Sequence, residues 1–161
     1  RVREHATRFA RALKLSPEEQ LTLERGALLR DIGKVLIPNE VLLKSGVLTY
    51  DEWVMLHSHC KMGAALLAER KVCQDVIDIV GCHHENYDGD GYPGHLEGEA
   101  IPLLARVMRI LDVFCAMTSP RIYRATQSTK EEAIAHLKSE RGKHFDPRLI
   151  DVFIEAEVGQ A

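Results

Sequence analysis

Residues 82–95 read CHHENYDGDGYPGH and form the long interruption in a chain whose hydrophobic periodicity is otherwise helical. Two adjacent histidines run into a loop of glycines, acids and a Tyr-Pro pair. Packing alone is a poor reason to keep such a run. Gly89, Gly91 and Gly94 cost backbone entropy, and His83 and His84 offer little apolar surface.

Working outward, both sides predict helices. Upstream, a helix from about Gln74 delivers His83 and His84 at its C-terminal end. Before it, Thr49-Tyr50-Asp51-Glu52 reads as a capping box opening one long helix toward Glu69, which carries His57 and His59. Ile37-Pro38 breaks the chain ahead of that. Ser16-Pro17-Glu18-Glu19 gives an N-cap, a proline at the first helical position and a glutamate at the third. The helix it starts is expected to run to about Asp31, with Gly33 as its stop. Val2, Phe9, Ala10 and Leu13 make one stripe of a first helix. Downstream, Pro102 starts a helix containing Asp112 and Cys115, and Asp146-Pro147 caps the last one. No alternating strand pattern or internal repeat is present, so the expected fold is an all-α bundle of roughly six to eight helices.

The 161 residues, 45% hydrophobic and 28% charged, suit a single domain spanning residues 1–161. The chain opens at Arg1-Val2 inside what already reads as helix, which predicts a truncated piece of a longer protein. A formal net charge of -3 gives no general basic field, so DNA is not an expected partner, whereas a small anionic ligand needs only a local cluster. Cys60, Cys73, Cys82 and Cys115 contain no C-x-x-C pair. With no signal-peptide pattern and no apolar run near the ~20 residues that cross a bilayer, a cytoplasmic location with reduced thiols and no membrane insertion is expected.

Asp31, His59, His83, His84 and Asp112 fall on separate helical segments, which is how bundles assemble metal sites from inward-facing side chains. Imidazoles mixed with carboxylates favour iron, manganese or zinc over calcium. His5, His57, His95, His136 and His144 have no supporting spacing and read as ordinary surface or satisfied core positions.

The stretch HHENYDGDGYP at 83–93 resembles the HHExxDGxGYP signature of the HD-GYP domains, the branch of the HD superfamily that hydrolyses cyclic di-GMP. DIGK at 31–34, IPNEVLLKSGVLT at 37–49, EW at 52–53, H-x3-G from His59 to Gly63, IPLLAR at 101–106, DVF with AMT at 112–118, RIYR at 121–124 and FDP at 145–147 follow in the family's order. The resemblance implies a helical bundle with divalent ions, iron or manganese first, in one or two sites held by Asp31, His59, His83, His84 and Asp112. It implies that Asp31 and Lys34 serve catalysis, with Lys34 on the scissile phosphate. Gly91, Tyr92, Arg121 and Arg124 would meet the nucleotide. A diguanylate cyclase or adaptor protein, and an upstream sensory or receiver domain, are the partners it suggests.

Three departures from the family pattern stand out. The His-Asp pair reads Arg30-Asp31, and an always-protonated arginine has no lone pair for a metal. The family's earliest histidine ligand falls upstream of Arg1. A second carboxylate is replaced in Asp112-Val113-Phe114-Cys115-Ala116. Arg30 is therefore expected to take the vacated metal position and pair with Asp31 and Asp112. Two functions follow as expectations: hydrolysis of cyclic di-GMP to pGpG or GMP, or a degenerate module that binds the nucleotide or a signalling partner without turnover.

Overall fold

The computed structural model describes residues 2–119 and 128–158. Among them are nine α-helical segments and two short 3-10 segments, with no strand beyond two isolated bridges. The all-α expectation is met. The helices are α1 (Val2–Ala12), α2 (Pro17–Leu29), α3 (Asn39–Leu42), α4 (Tyr50–His57), α5 (His59–Glu69), α6 (Gln74–Cys82), α7 (Leu103–Thr118), α8 (Lys130–Ser139) and α9 (Pro147–Val158).

The segments exceed six to eight because the helix that begins at Thr49 is divided. Its capping box is present: Glu52 N donates to Thr49 Oγ1 at 3.3 Å while Thr49 N donates to Glu52 Oε2 at 2.7 Å. At Ser58 the hydroxyl donates to the Met55 carbonyl at 2.6 Å. This side-chain bond competes with the backbone ladder, and α5 starts anew at His59. A second correction concerns α2, which ends at Leu29 and leaves Arg30 as its cap. Ile32–Leu36 then forms a 3-10 turn, in which Gly33 is needed for close approach instead of helix termination. A Cβ at Gly33 would fall 1.9 Å from the His59 carbonyl oxygen and 2.7 Å from Gly63 N.

The main core surrounds α7, whose Leu104, Val107, Met108, Leu111 and Phe114 are buried against Phe9, Leu23, Ile79, Leu137 and Phe153 from five other helices. Phe153 meets Phe9 and Phe114 edge-on at 4.9 and 5.1 Å. Each such side chain contributes about 1.5–3 kcal/mol by leaving water. A smaller cluster of Leu67, Val76 and Val80 joins α5 to α6. The two helix ends that carry His59, His83 and His84 therefore adjoin the smaller of the two apolar clusters. No helix among the described residues is long and apolar enough to cross a membrane.

Candidate metal centre

Three imidazoles converge from two helix ends. His59 is the first residue of α5, His83 caps α6 and His84 follows it. His59 Nδ1 lies 2.7 Å from the Leu56 carbonyl and His83 Nδ1 lies 3.0 Å from the Val80 carbonyl. Each carbonyl can accept only from a protonated Nδ1, so these bonds fix the neutral tautomer with a bare Nε2. The rings pack edge-on at 5.6 Å (His59 and His83) and 5.3 Å (His59 and His84), with His83 and His84 at 4.1 Å. One ligand atom from each of His59, His83, His84 and Cys60 lies within 4.8 Å of all the others.

The electrostatics keep these nitrogens available. Burial pushes His83 down to about 4 and lowers His59, while burial and the neighbouring His83 and Arg109 hold His84 far below the ordinary imidazole value. All three imidazoles are thus uncharged at neutral pH, the state in which they ligate. His83 Nε2 is fully buried and has no hydrogen-bond partner among the described residues. An orphaned acceptor of this kind costs about 1–3 kcal/mol unless something fills the space. A divalent ion satisfies that lone pair, and the donor set suits one, so these residues fit a metal.

Asp31 borders the cluster, with Oδ1 at 3.8 Å from His59 Nε2 and 2.7 Å from Lys34 Nζ. Burial raises its carboxyl, but the Lys34 hydrogen bond and the charges of Lys34 and Arg30 outweigh it and hold the group below its ordinary value. Asp112 is engaged elsewhere: Arg30 Nε donates to its Oδ1 at 2.8 Å. Arg30 Nη2 also lies 3.5 Å from Asp31 Oδ2, and Nη1 donates to the Ala27 carbonyl at 2.5 Å. The guanidinium therefore links the two carboxylates, the arrangement anticipated from the Arg30-Asp31 pair. Cys115 is buried, and burial pushes its thiol up to about 11.

The glycine-rich loop is organised by Glu85, a residue the sequence reading passed over. Its buried carboxylate accepts Gly94 N at 2.5 Å and Leu96 N at 3.1 Å. Gly91 passes so near the loop's start that a Cβ there would lie 2.1 Å from Asn86 N. Tyr92 N donates to the His84 carbonyl at 3.1 Å, which sets the Tyr92 ring 4.8 Å from His84. On its other side Tyr92 stacks on His57 at 3.7 Å, and His57 meets Trp53 at 3.5 Å. His57, read from sequence as an ordinary position, instead forms part of an aromatic column leading from half-exposed Trp53 to the histidines.

Two further residues escaped the sequence reading. Cys60 is adjacent to His59 in chain and space, but a lone cysteine carries no spacing signal. Arg109 donates twice to Asn86 Oδ1, at 3.1 and 2.9 Å, a neutral acceptor, while its charge acts on Asp112, Tyr92 and His84. Arg121 and Arg124 lie outside the described residues.

Known proteins share this arrangement of sequence and fold. Residues 1–149 match the family described as HD domain. The cyclic di-GMP phosphodiesterase response regulator RpfG of Xanthomonas campestris is 44% identical over 147 residues, 90% of this chain and 39% of the relative. The 3'3'-cGAMP-specific phosphodiesterase 2 of Vibrio cholerae is 34% identical over 157 residues, covering 96% of this chain and 30% of the relative. The chain thus spans only about a third of the length of such relatives. Among solved structures, an HDG"Y"P protein from Bdellovibrio bacteriovorus superimposes with a TM-score of 0.76 over 99% of this chain and 50% of that one, at 22% identity. With the HHENYDGDGYP loop placed against three converging imidazoles, the chain belongs to the HD domain family, in its HD-GYP branch.

Proposed function

We propose that residues 1–161 are one domain of a longer protein and act as a metal-dependent phosphodiesterase on cyclic di-GMP. The observation that carries this reading is the convergence of His59, His83 and His84 around the partnerless His83 Nε2. The residues at hand suit a single ion, of iron or manganese by the imidazole and carboxylate donors, because Arg30 already compensates Asp31 and Asp112. When bound, a divalent ion supplies Lewis-acid polarisation of a phosphoryl oxygen and an acidified water.

The chain's own groups do the rest. Lys34, partly exposed beside Asp31, presents a point charge to the scissile phosphate and to the negative charge that grows on it. Asp31 orients that ammonium and borders the ion's site. Tyr92 offers an aromatic face to a guanine base, Gly91 permits the loop's close passage, and Arg109 adds a guanidinium on the same side. The family resemblance assigns Arg121 and Arg124, which lie outside the described residues, to the same nucleotide. A cytoplasmic setting, a sensory or receiver domain in the same polypeptide and contact with a diguanylate cyclase or adaptor belong to this reading.

A second reading, nucleotide binding without turnover, is favoured by one observation: Arg30 donates to Asp112 where the family pattern has a histidine. Chromatography of cyclic di-GMP incubated with the full-length, anaerobically purified protein and added iron or manganese separates the two. Accumulation of pGpG or GMP establishes the hydrolase. Retention of intact nucleotide on the protein establishes the binding module, and the absence of both product and retention overturns both readings.

A further inference from the structure

Four donors converge at the centre, and one of them lies outside the set that the family pattern implies. We propose that Cys60 is a ligand of the bound ion, so that the centre is a three-histidine, one-thiolate site made by His59, Cys60, His83 and His84. The inference rests on the metal-dependent reading above.

The geometry has two independent parts. Cys60 is fully buried in the first turn of α5, with Sγ 3.5 Å from His59 Nε2 and within 4.8 Å of the imidazole donors. Separately, His83 Nε2 is fully buried, is turned into the same space, and has no partner there among the described residues. Hydrogen bonds to the Leu56 and Val80 carbonyls hold two of the rings from behind, as the outer contacts of metal-bound histidines do. A sulfur and three nitrogens are the donor count of a tetrahedral site, and an ion would draw closer together donors that already lie within 4.8 Å of one another. Coordination replaces the S–H bond with a metal–sulfur bond and releases one proton to solvent for each ion bound.

The donor set also sharpens the function. A thiolate suits zinc or iron and disfavours manganese, which prefers oxygen donors. Four protein ligands close a tetrahedral zinc site and leave no position for water. An ion of higher coordination number retains one. Cys60 thus bears on whether this chain hydrolyses its nucleotide or only holds it.

X-ray absorption on the zinc-loaded full-length protein, in a Cys73→Ser background that removes the exposed thiol, reads the ligands without altering the site. The expected shell has one sulfur at about 2.3 Å and nitrogens at about 2.0–2.1 Å. Cys60→Ser should remove the sulfur, and should abolish the sulfur-to-cobalt charge-transfer absorption of the cobalt-loaded form. A bound ion with only nitrogen and oxygen neighbours in the parent protein overturns the role of Cys60 while leaving the metal-dependent reading intact. Persistence of sulfur in Cys60→Ser does the same. Failure of the parent protein to bind any ion overturns both.

Discussion

Arg30 concentrates the electrostatic departure of this chain from its family pattern in one side chain. Its guanidinium touches Asp112 at 2.8 Å and Asp31 at 3.5 Å, so a fixed monovalent cation stands between two carboxylates that the family resemblance assigns to metal. Replacing it by a group with a lone pair removes that charge and restores a donor. We therefore expect Arg30→His to raise the number of ions bound per chain, measured by elemental analysis after dialysis. Unchanged stoichiometry would show that Arg30 does not set the metal count. The same variant loses bonds to Asp112, Asp31 and the Ala27 carbonyl. Stability without added metal should fall by about 1–3 kcal/mol, visible as a lower urea midpoint at unchanged slope.

At the scale of elements, the site depends on how two turns meet. The Ile32–Leu36 turn lies directly on the first residue of α5, and Gly33 has no room for a methyl group beside the His59 carbonyl. Gly33→Ala should displace the turn or His59, costing about 3 kcal/mol and weakening metal binding together with stability. Gly46→Ala, at a position with nothing within 4 Å, should leave both unchanged. A loss of stability with metal affinity intact would mean that the turn yields while α5 does not.

A second junction ties α1, α8 and α9 through the buried Glu157. His5 lies 2.9 Å from its carboxylate, Arg8 3.6 Å and Lys130 3.9 Å. Burial raises this carboxyl, but the bond to His5 and the charges of His5, Arg8 and Lys130 outweigh it and hold it below its ordinary 4.5. A depressed folded-state value means the contribution is complete above about pH 4.5 and is lost as pH falls through the lower folded value. Glu157→Gln should lower the melting temperature at pH 7 and flatten its decline below pH 4.5. An equally steep acid decline in the variant would place the pH sensitivity elsewhere. The helix starts at Pro17, Tyr50 and Leu103 were legible because caps and prolines are local signals. The break at Ser58 was not, since a serine inside a helical pattern gains meaning only from its bond to Met55.

Across the whole molecule, the same division between local and tertiary information explains what the sequence disclosed of the site. Motif residues His59, His83 and His84 could be grouped before their separation was known, whereas Cys60 and Arg109 acquire a role only when α5, α6 and α7 are assembled around them. That assembly is uneven. The core around α7 draws on six helices, α6 among them through Ile79, while α5 meets α6 through the small Leu67, Val76 and Val80 cluster, and at the ends of these two helices stands a partnerless buried imidazole. An ion that binds only the folded chain adds its binding free energy to folding, about 2.7 kcal/mol at a free concentration 100 times its dissociation constant. For a chain of this size that corresponds to roughly 5–10 °C. Chelation should therefore lower the melting temperature by about that amount, and the loss of hydrogen-exchange protection should be greatest in α5 and α6 and least in α9. His83→Ala should melt at the same temperature with and without chelator. If the parent protein is equally indifferent to chelation, or loses protection first in α9, the ion does not hold the junction of α5 and α6 together.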